Sequence, residues 1–273
     1  ALRNMNVPGV YIEEGEETPA PPQMEETLPA PIVYTIEKNK VKDPAKVHLS
    51  ESVKQRVSEG VQYLYNNSDS EQFTKVSHQI TEELIRAIDE NDALAVDINT
   101  LKTSDEYTFK HSVDVATISM IVARKQGFSE KNVYNIGIAG LLHDMGKSQI
   151  PSEILNKPGR LDDTEFEIMK QHSMLGFDIL REKKEFPDVI SLSVLQHHEK
   201  MNGTGYPFGY KEDKIIPYAK ILSVADVYDA LITERPYKKA FSQRDALEII
   251  MSMTDELDIT SMRSFMESVI LYP

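Results

Sequence analysis

The chain has 273 residues, a formal net charge of -14, 40% hydrophobic and 27% charged residues, and no cysteine. That length suits one large or two small globular domains, while the acidic balance without a Lys/Arg run excludes a surface for long nucleic acids. The lack of cysteine excludes disulfides and thiolate metal sites and fits a cytoplasmic protein, and no apolar run approaches the length of a membrane span.

Residues 1–49 read as a partial regulatory segment with a linker. Val7–Ile12 and Ile32–Ile36 have the pattern of short strands, and Glu13–Pro31 is rich in Glu and Pro, as extended linkers are. A poorly ordered or β-containing arm is expected there. Residues 50–100 read as connecting helices. Val53, Val57, Val61 and Leu64 recur at helical spacing behind Ser50, and Asn66–Ser70 is a turn. Phe73, Val76, Ile80, Leu84 and Ile88 mark a second amphipathic helix, and Leu94, Ile98 and Leu101 a short third. Their stripes are expected to pack on the domain that follows or on a second copy of the chain in a homodimer.

Residues 101–273 carry the chemistry. The segment Thr108–Arg124 is apolar on nearly all sides, the mark of a buried helix, and His111 sits in its first turn. The helix over Val133–Leu142 runs into His143 and Asp144. Gly146 is expected to end that helix, and Lys147 follows. A helix starting near Asp162 and running through Phe166, Met169 and Leu175 carries His172. Ile190, Val194, His197 and His198 share one stripe near a helix end, followed by Glu199. Adjacent inward imidazoles need partners, because unpaired buried polar groups are costly. The loop Gly205-Tyr206-Pro207 follows, with glycines that let a ligand approach the backbone. After Pro217, Leu222, Ala225, Asp226 and Asp229 fall on one helical face, so two carboxylates sit on an otherwise apolar side. Arg235 and Lys238 lie just past this helix. Ser242 caps the last amphipathic helix, with Ala246, Leu247, Ile250 and Met253 on its inner face.

Five of the 7 histidines thus fall at the ends or inner faces of successive helices, joined by Asp144 and Asp226. Helical bundles build histidine–carboxylate metal sites in this way. With no thiols, the donor set favours iron, manganese, zinc or nickel.

The series His143-Asp144 with Gly146-Lys147, then His172, His197-His198-Glu199, Gly205-Tyr206-Pro207, Asp226 and Arg235-Pro236-Tyr237-Lys238 resembles the HD-GYP domain, a branch of the HD metal-dependent phosphohydrolases, over roughly Leu101–Met253. The resemblance implies an all-α, HD-type helical bundle that hydrolyses cyclic di-GMP to linear pGpG and on to GMP. It implies that His111, His143, Asp144, His172, His197, His198 and Asp226 hold divalent metals. Iron or manganese is expected, with nickel, zinc, magnesium or calcium as substitutes. It assigns Lys147, Gly205, Tyr206, Pro207, Arg235 and Lys238 to the substrate. Lys147, His143, Asp144 and Asp229 are the residues expected at the chemistry, Asp229 either orienting a ligand or protonating the leaving ribose oxygen.

Two departures stand out. Some members carry a Glu one turn before the first histidine that helps to hold a third metal. Tyr107 stands there, so two metals are expected. Members often have a Gly-rich loop and Phe-Asp-Pro near the end, which Asp255–Ile259 matches poorly. The alternatives are a catalytically weak cyclic-dinucleotide sensor and an HD phosphohydrolase for another nucleotide, such as cyclic GMP-AMP.

Overall fold

A computed structural model of the chain describes Leu49 and residues 51–90, 107–233 and 240–268. The expected strands, the Glu/Pro-rich linker, the short helix through Leu94 and the segment with Arg235 and Lys238 lie outside the described residues. Among the described residues there is no strand, only one isolated bridge between Asn202 and Lys211. The all-α expectation holds.

The first two helices, α1 (Glu51–Asn66) and α2 (Phe73–Asp89), pack on each other. They also pack on α3 (Tyr107–Lys125) and α4 (Glu130–Leu142). Val57, Val61, Leu64, Phe73 and Leu84 are fully buried and belong to the same apolar core as Phe265 near the other end of the chain. The stripe on which a dimer contact is expected is therefore covered within one chain. Burying such side chains contributes roughly 1.5–3 kcal/mol each, so α1 and α2 are part of the bundle that holds the site.

The central pair is α3 and α4. Almost every face of α3 is buried, as its sequence requires. The Ser129 side chain caps α4 by accepting a hydrogen bond from the Asn132 amide. Next come a 3-10 turn (Met145–Gln149) and the short helix α5 (Ser152–Leu155). The single helix expected to carry His172 is two: α6 (Asp163–Lys170) and α7 (His172–Glu182), with a break at Gln171. Asp162 and Glu165 form a reciprocal capping box at the start of α6. Then α8 (Asp188–Gln196) ends on His197 as its C-cap residue.

The helix α9 (Pro217–Ile232) begins with proline at its first position, where the missing N–H costs nothing. It packs on α3, α4 and α8 and is buried along most of its length. Ser242 caps α10 (Gln243–Ser252) as expected. That helix is not the last. Asp258 accepts from the Ser261 amide and starts α11 (Ile259–Met266), and α11 packs on α9 and α3. The poor family match at Asp255–Ile259 hides this helix, because only its cap and one short stripe betray it.

Phe265 is fully buried and meets Tyr228 of α9 edge-on, with ring centroids 4.6 Å apart. Phe265→Ala is expected to cost about 3–5 kcal/mol, as large aromatic truncations in cores do. Denaturant midpoints read this directly. A midpoint unchanged by the substitution would mean that α11 does not stabilise the helix carrying Asp226.

Candidate metal centre

The site is assembled where five helices end or pass. His111 comes from the first turns of α3, His143 and Asp144 from the end of α4, and His172 from the start of α7. His197 and His198 come from the end of α8, and Asp226 and Asp229 from the middle of α9. All are buried, none more than 8% exposed.

Three of the histidines are aimed by one device. His143 Nδ1 donates to the Gly140 carbonyl at 2.8 Å, His172 Nδ1 to the Met169 carbonyl at 2.8 Å, and His197 Nδ1 to the Val194 carbonyl at 2.6 Å. Each carbonyl lies three residues back, in the last turn of a helix, where carbonyls lack helical partners. The bond satisfies the carbonyl, fixes the proton on Nδ1 and turns the Nε2 lone pair inward. His111 differs. Its Nδ1 meets Asp229 Oδ2 at 2.6 Å and its Nε2 lies 3.1 Å from Asp226 Oδ1.

The donor atoms converge. His172 Nε2 and His197 Nε2 are 3.4 Å apart. Asp144 stands between two sets, with Oδ1 at 3.5 Å from His172 Nε2 and Oδ2 at 3.4 Å from His143 Nε2. Three overlapping groups each bring their donor atoms within 4.8 Å of one another: Asp144 with His172, His197 and His198; His111 with His143 and Asp144; and His143 with His197 and Asp226. These are the seven expected ligands, all brought to one place.

The electrostatics fit a cation. Burial, only partly offset by Asp144, lowers the His172 pKa to about 4. Burial together with His143 and His172 lowers His197 to about 3. Burial and His197 hold His198 well below the usual imidazole range. These rings are therefore neutral donors at neutral pH. Burial also opposes charge on His111, but Asp226 and Asp229 outweigh it and raise its pKa to about 9. Burial pushes the Asp144 carboxyl up, yet Lys147 and His143 carry it well below the usual range. Most tellingly, His143 Nε2 and His198 Nε2 are buried with no hydrogen-bond partner. Buried donor atoms left in this state are costly unless a Lewis acid takes them. The residues present fit a metal.

Lys147 donates from Nζ to Asp144 Oδ2 at 2.6 Å. It thus reaches the metal centre and is not among the residues lining the adjoining cavity. Gly146 does not end α4, since His143 takes the C-cap position. A Cβ on Gly146 would lie 1.9 Å from the His172 carbonyl oxygen, so glycine there lets the turn press against the start of α7.

Beside the centre, a cavity of about 120 Å³ is lined by His198 and Asp226 together with Gly205, Tyr206, Phe166 and Lys170, among others. The Tyr206 ring stacks on the His198 imidazole at 4.6 Å. Gly205 lies flat on the chain before it, where a Cβ would come 2.4 Å from the His198 carbonyl oxygen. The Tyr206–Pro207 peptide is cis, and Pro207 is not part of the cavity wall.

One organising residue was named in the sequence only as the third member of His197-His198-Glu199. The Glu199 carboxylate is 2% exposed and accepts from the Phe208 and Tyr210 amides, each at 2.8 Å. Burial raises its pKa against those bonds. Glu199 pins the far side of the loop that carries Tyr206. The signal was available: an acid directly after two inward histidines, ahead of a loop whose amides have no helix or strand to satisfy them.

A family profile described as an HD domain matches residues 95–260. A cyclic di-GMP phosphodiesterase of Pseudomonas aeruginosa is 31% identical over 280 aligned residues, covering 100% of this chain and 67% of that protein. A cyclic di-GMP phosphodiesterase of Thermotoga maritima is 42% identical over 154 residues, 56% of this chain and 42% of its own length. A solved HDG"Y"P protein from Bdellovibrio bacteriovorus superposes with a TM-score of 0.63 at 19% identity, covering 86% of this chain and 76% of that one, and so shares the fold. The chain belongs to the HD-domain family, whose phosphodiesterases depend on metal. Its double histidine and Gly205-Tyr206-Pro207 loop place it in the HD-GYP branch.

Glu199→Gln is expected to turn an amide N–H₂ toward one of the two backbone donors. Leaving such a group unsatisfied costs about 1–3 kcal/mol. Amide exchange at Phe208 and Tyr210 should then accelerate by roughly tenfold or more, while the amides of α3 and α4 keep their protection. Equal acceleration everywhere would make Glu199 a general stability residue.

Proposed function

We propose that the protein is a metal-dependent phosphodiesterase that hydrolyses cyclic di-GMP to linear pGpG and then GMP, with about two divalent ions, iron or manganese, per chain. One observation carries this reading. A buried centre of carboxylates and imidazoles, two of the imidazoles with an unsatisfied nitrogen, opens onto a cavity whose wall holds Tyr206 stacked on His198. The cyclic di-GMP phosphodiesterases of Pseudomonas and Thermotoga support it by their overall similarity to the chain. The chain spans less than half of the Thermotoga protein, so the substrate is part of the proposal.

The ligands would be His111, His143, Asp144, His172, His197, His198 and Asp226. Bound there, divalent ions supply Lewis acidity and make water a better nucleophile at neutral pH. The chain's own residues do the rest. Asp144 has two oxygens facing different histidines and is suited to be shared between ions. Asp229 holds the His111 ring through Nδ1, which favours the ligand-orienting role over the proton-donating one. Lys147, beside Asp144, offers a positive charge to phosphate oxygens at the centre. Tyr206 presents an aromatic wall for the nucleoside next to the scissile phosphate. Arg235 and Lys238 are proposed as further cations for the substrate.

A second substrate has a specific support. A 3'3'-cGAMP-specific phosphodiesterase of Vibrio cholerae is 38% identical over 53% of this chain. A panel of cyclic di-GMP, cyclic GMP-AMP and cyclic di-AMP with manganese or ferrous iron decides between them. Cyclic di-GMP is expected to be the fastest of the three, and no turnover of any would refute the proposal.

Metal analysis checks the centre itself. His143→Ala combined with Asp144→Ala is expected to abolish metal retention while the helical circular dichroism stays largely intact. Global unfolding would make the pair structural. Lys147→Ala should lower turnover far more than metal content, and equal loss of both would make it a support for Asp144 alone.

A further inference from the structure

The wall of the cavity away from the metal ligands contains two residues that no motif marks, Phe166 and Lys170, both from α6. They lie one helical turn apart and therefore on one face. Phe166 meets the Tyr206 ring edge-on at 6.4 Å and 86°. Lys170 Nζ stands over both rings, 5.4 Å from the Phe166 centroid and 5.9 Å from that of Tyr206. The side chain of Lys170 is 24% exposed, and its anionic partner Glu167 is 68% exposed. Such a pair is screened by water and weak. The cavity's other ammonium, on Lys200, is held by Glu256, which is only 27% exposed. Lys170 is thus the cation on this wall most readily lent to a ligand.

What it would read follows from its chemistry. An ammonium has three donors and no acceptor. The outer edge of guanine presents two acceptors, N7 and O6. Adenine presents one acceptor and a donating amino group. An ammonium at the edge of a purine stacked beside Tyr206 therefore attracts guanine and repels the adenine amino group. The attraction of the two aromatic faces for a cation keeps Lys170 in place for this.

Building on the cyclic-dinucleotide reading above, we propose that Lys170, backed by Phe166 and Tyr206, is a specificity-determining residue that selects guanine over adenine in the nucleoside bound next to the metal centre. Phe166 and Tyr206 supply the apolar walls. Lys170 supplies the donor that only guanine can use twice.

The test uses the full chain loaded with manganese and hydrolysis-resistant phosphorothioate analogues of cyclic di-GMP and cyclic di-AMP. Calorimetry gives the ratio of their dissociation constants. A glutamine amide pairs well with adenine, so Lys170→Gln is expected to shift the ratio toward adenine by about tenfold or more. Lys170→Arg, which keeps donors only, should hold the wild-type preference. Equal weakening of both ligands by Lys170→Gln would make Lys170 a phosphate contact, and two unchanged dissociation constants would remove it from recognition altogether. Either result overturns this inference and leaves the proposed function standing, whereas failure of the wild type to hydrolyse cyclic di-GMP would overturn that function.

Discussion

Five imidazoles and two carboxylates buried together are the constraint on which the structure depends. Left to themselves, such groups lose water and gain little. The fold reduces that cost before any metal arrives. His143, His172 and His197 each donate from Nδ1 to a carbonyl in the last turn of a helix. Each bond directs the ring and adds a partner to a helix terminus short of donors. This explains why these three histidines sit at helix ends. It also explains the break between α6 and α7. His172 bonds to the Met169 carbonyl in the last turn of α6 while starting α7, a position that one continuous helix would not offer it.

The remaining cost is deliberately uncompensated. His143 Nε2 and His198 Nε2 have no hydrogen-bond partner, and burial with His197 beside it holds His198 well below the usual imidazole range, so that ring does not ease the strain by taking a proton. Only a cation with empty orbitals satisfies all these lone pairs at once. The acidic chain and the cationic site are consistent for the same reason. With a net charge of -14, attraction for a phosphate ligand rests on cations gathered locally, such as Lys147 beside Asp144.

Most of the bundle and the convergence of the seven proposed ligands were legible in the sequence, because each leaves a local trace. An apolar stripe marks a helix, and a polar residue on that stripe marks a site. Asp226 and Asp229 were found in this way, and α9 buries both. What was missed depends on contacts between distant segments. Gly146 looked like a helix terminator, but its lack of a side chain serves the carbonyl of His172, which only the folded chain brings near. Glu199 stood in the sequence only as the residue after the two histidines, and its oxygens accept from the loop amides of Phe208 and Tyr210. Phe166 stood in the sequence only as one apolar position of a helix, and Lys170 carried no signal at all. Nothing in their spacing says which cavity that face will line.

The C-terminal segment shows why a sequence departure need not be a structural one. Residues 255–259 match the family pattern poorly, yet they still hold the Gly-rich loop. The Met201 amide donates to the Glu256 carbonyl at 2.9 Å, a bond that any side chain permits. Lys200 pairs with Glu256, and the Asn202 side chain donates to Asp255 at 3.2 Å. Lys220 of α9 lies 3.9 Å from Asp258, the residue that caps α11. The loop with Tyr206 is therefore held between Glu199 on one side and this acidic segment on the other. A backbone bond fixes the position, and the charged pairs add to it. Leu257 from the same segment, with Met253 at the end of α10, completes the cavity wall. The part of the domain where the motif fades is thus also a part that shapes the pocket.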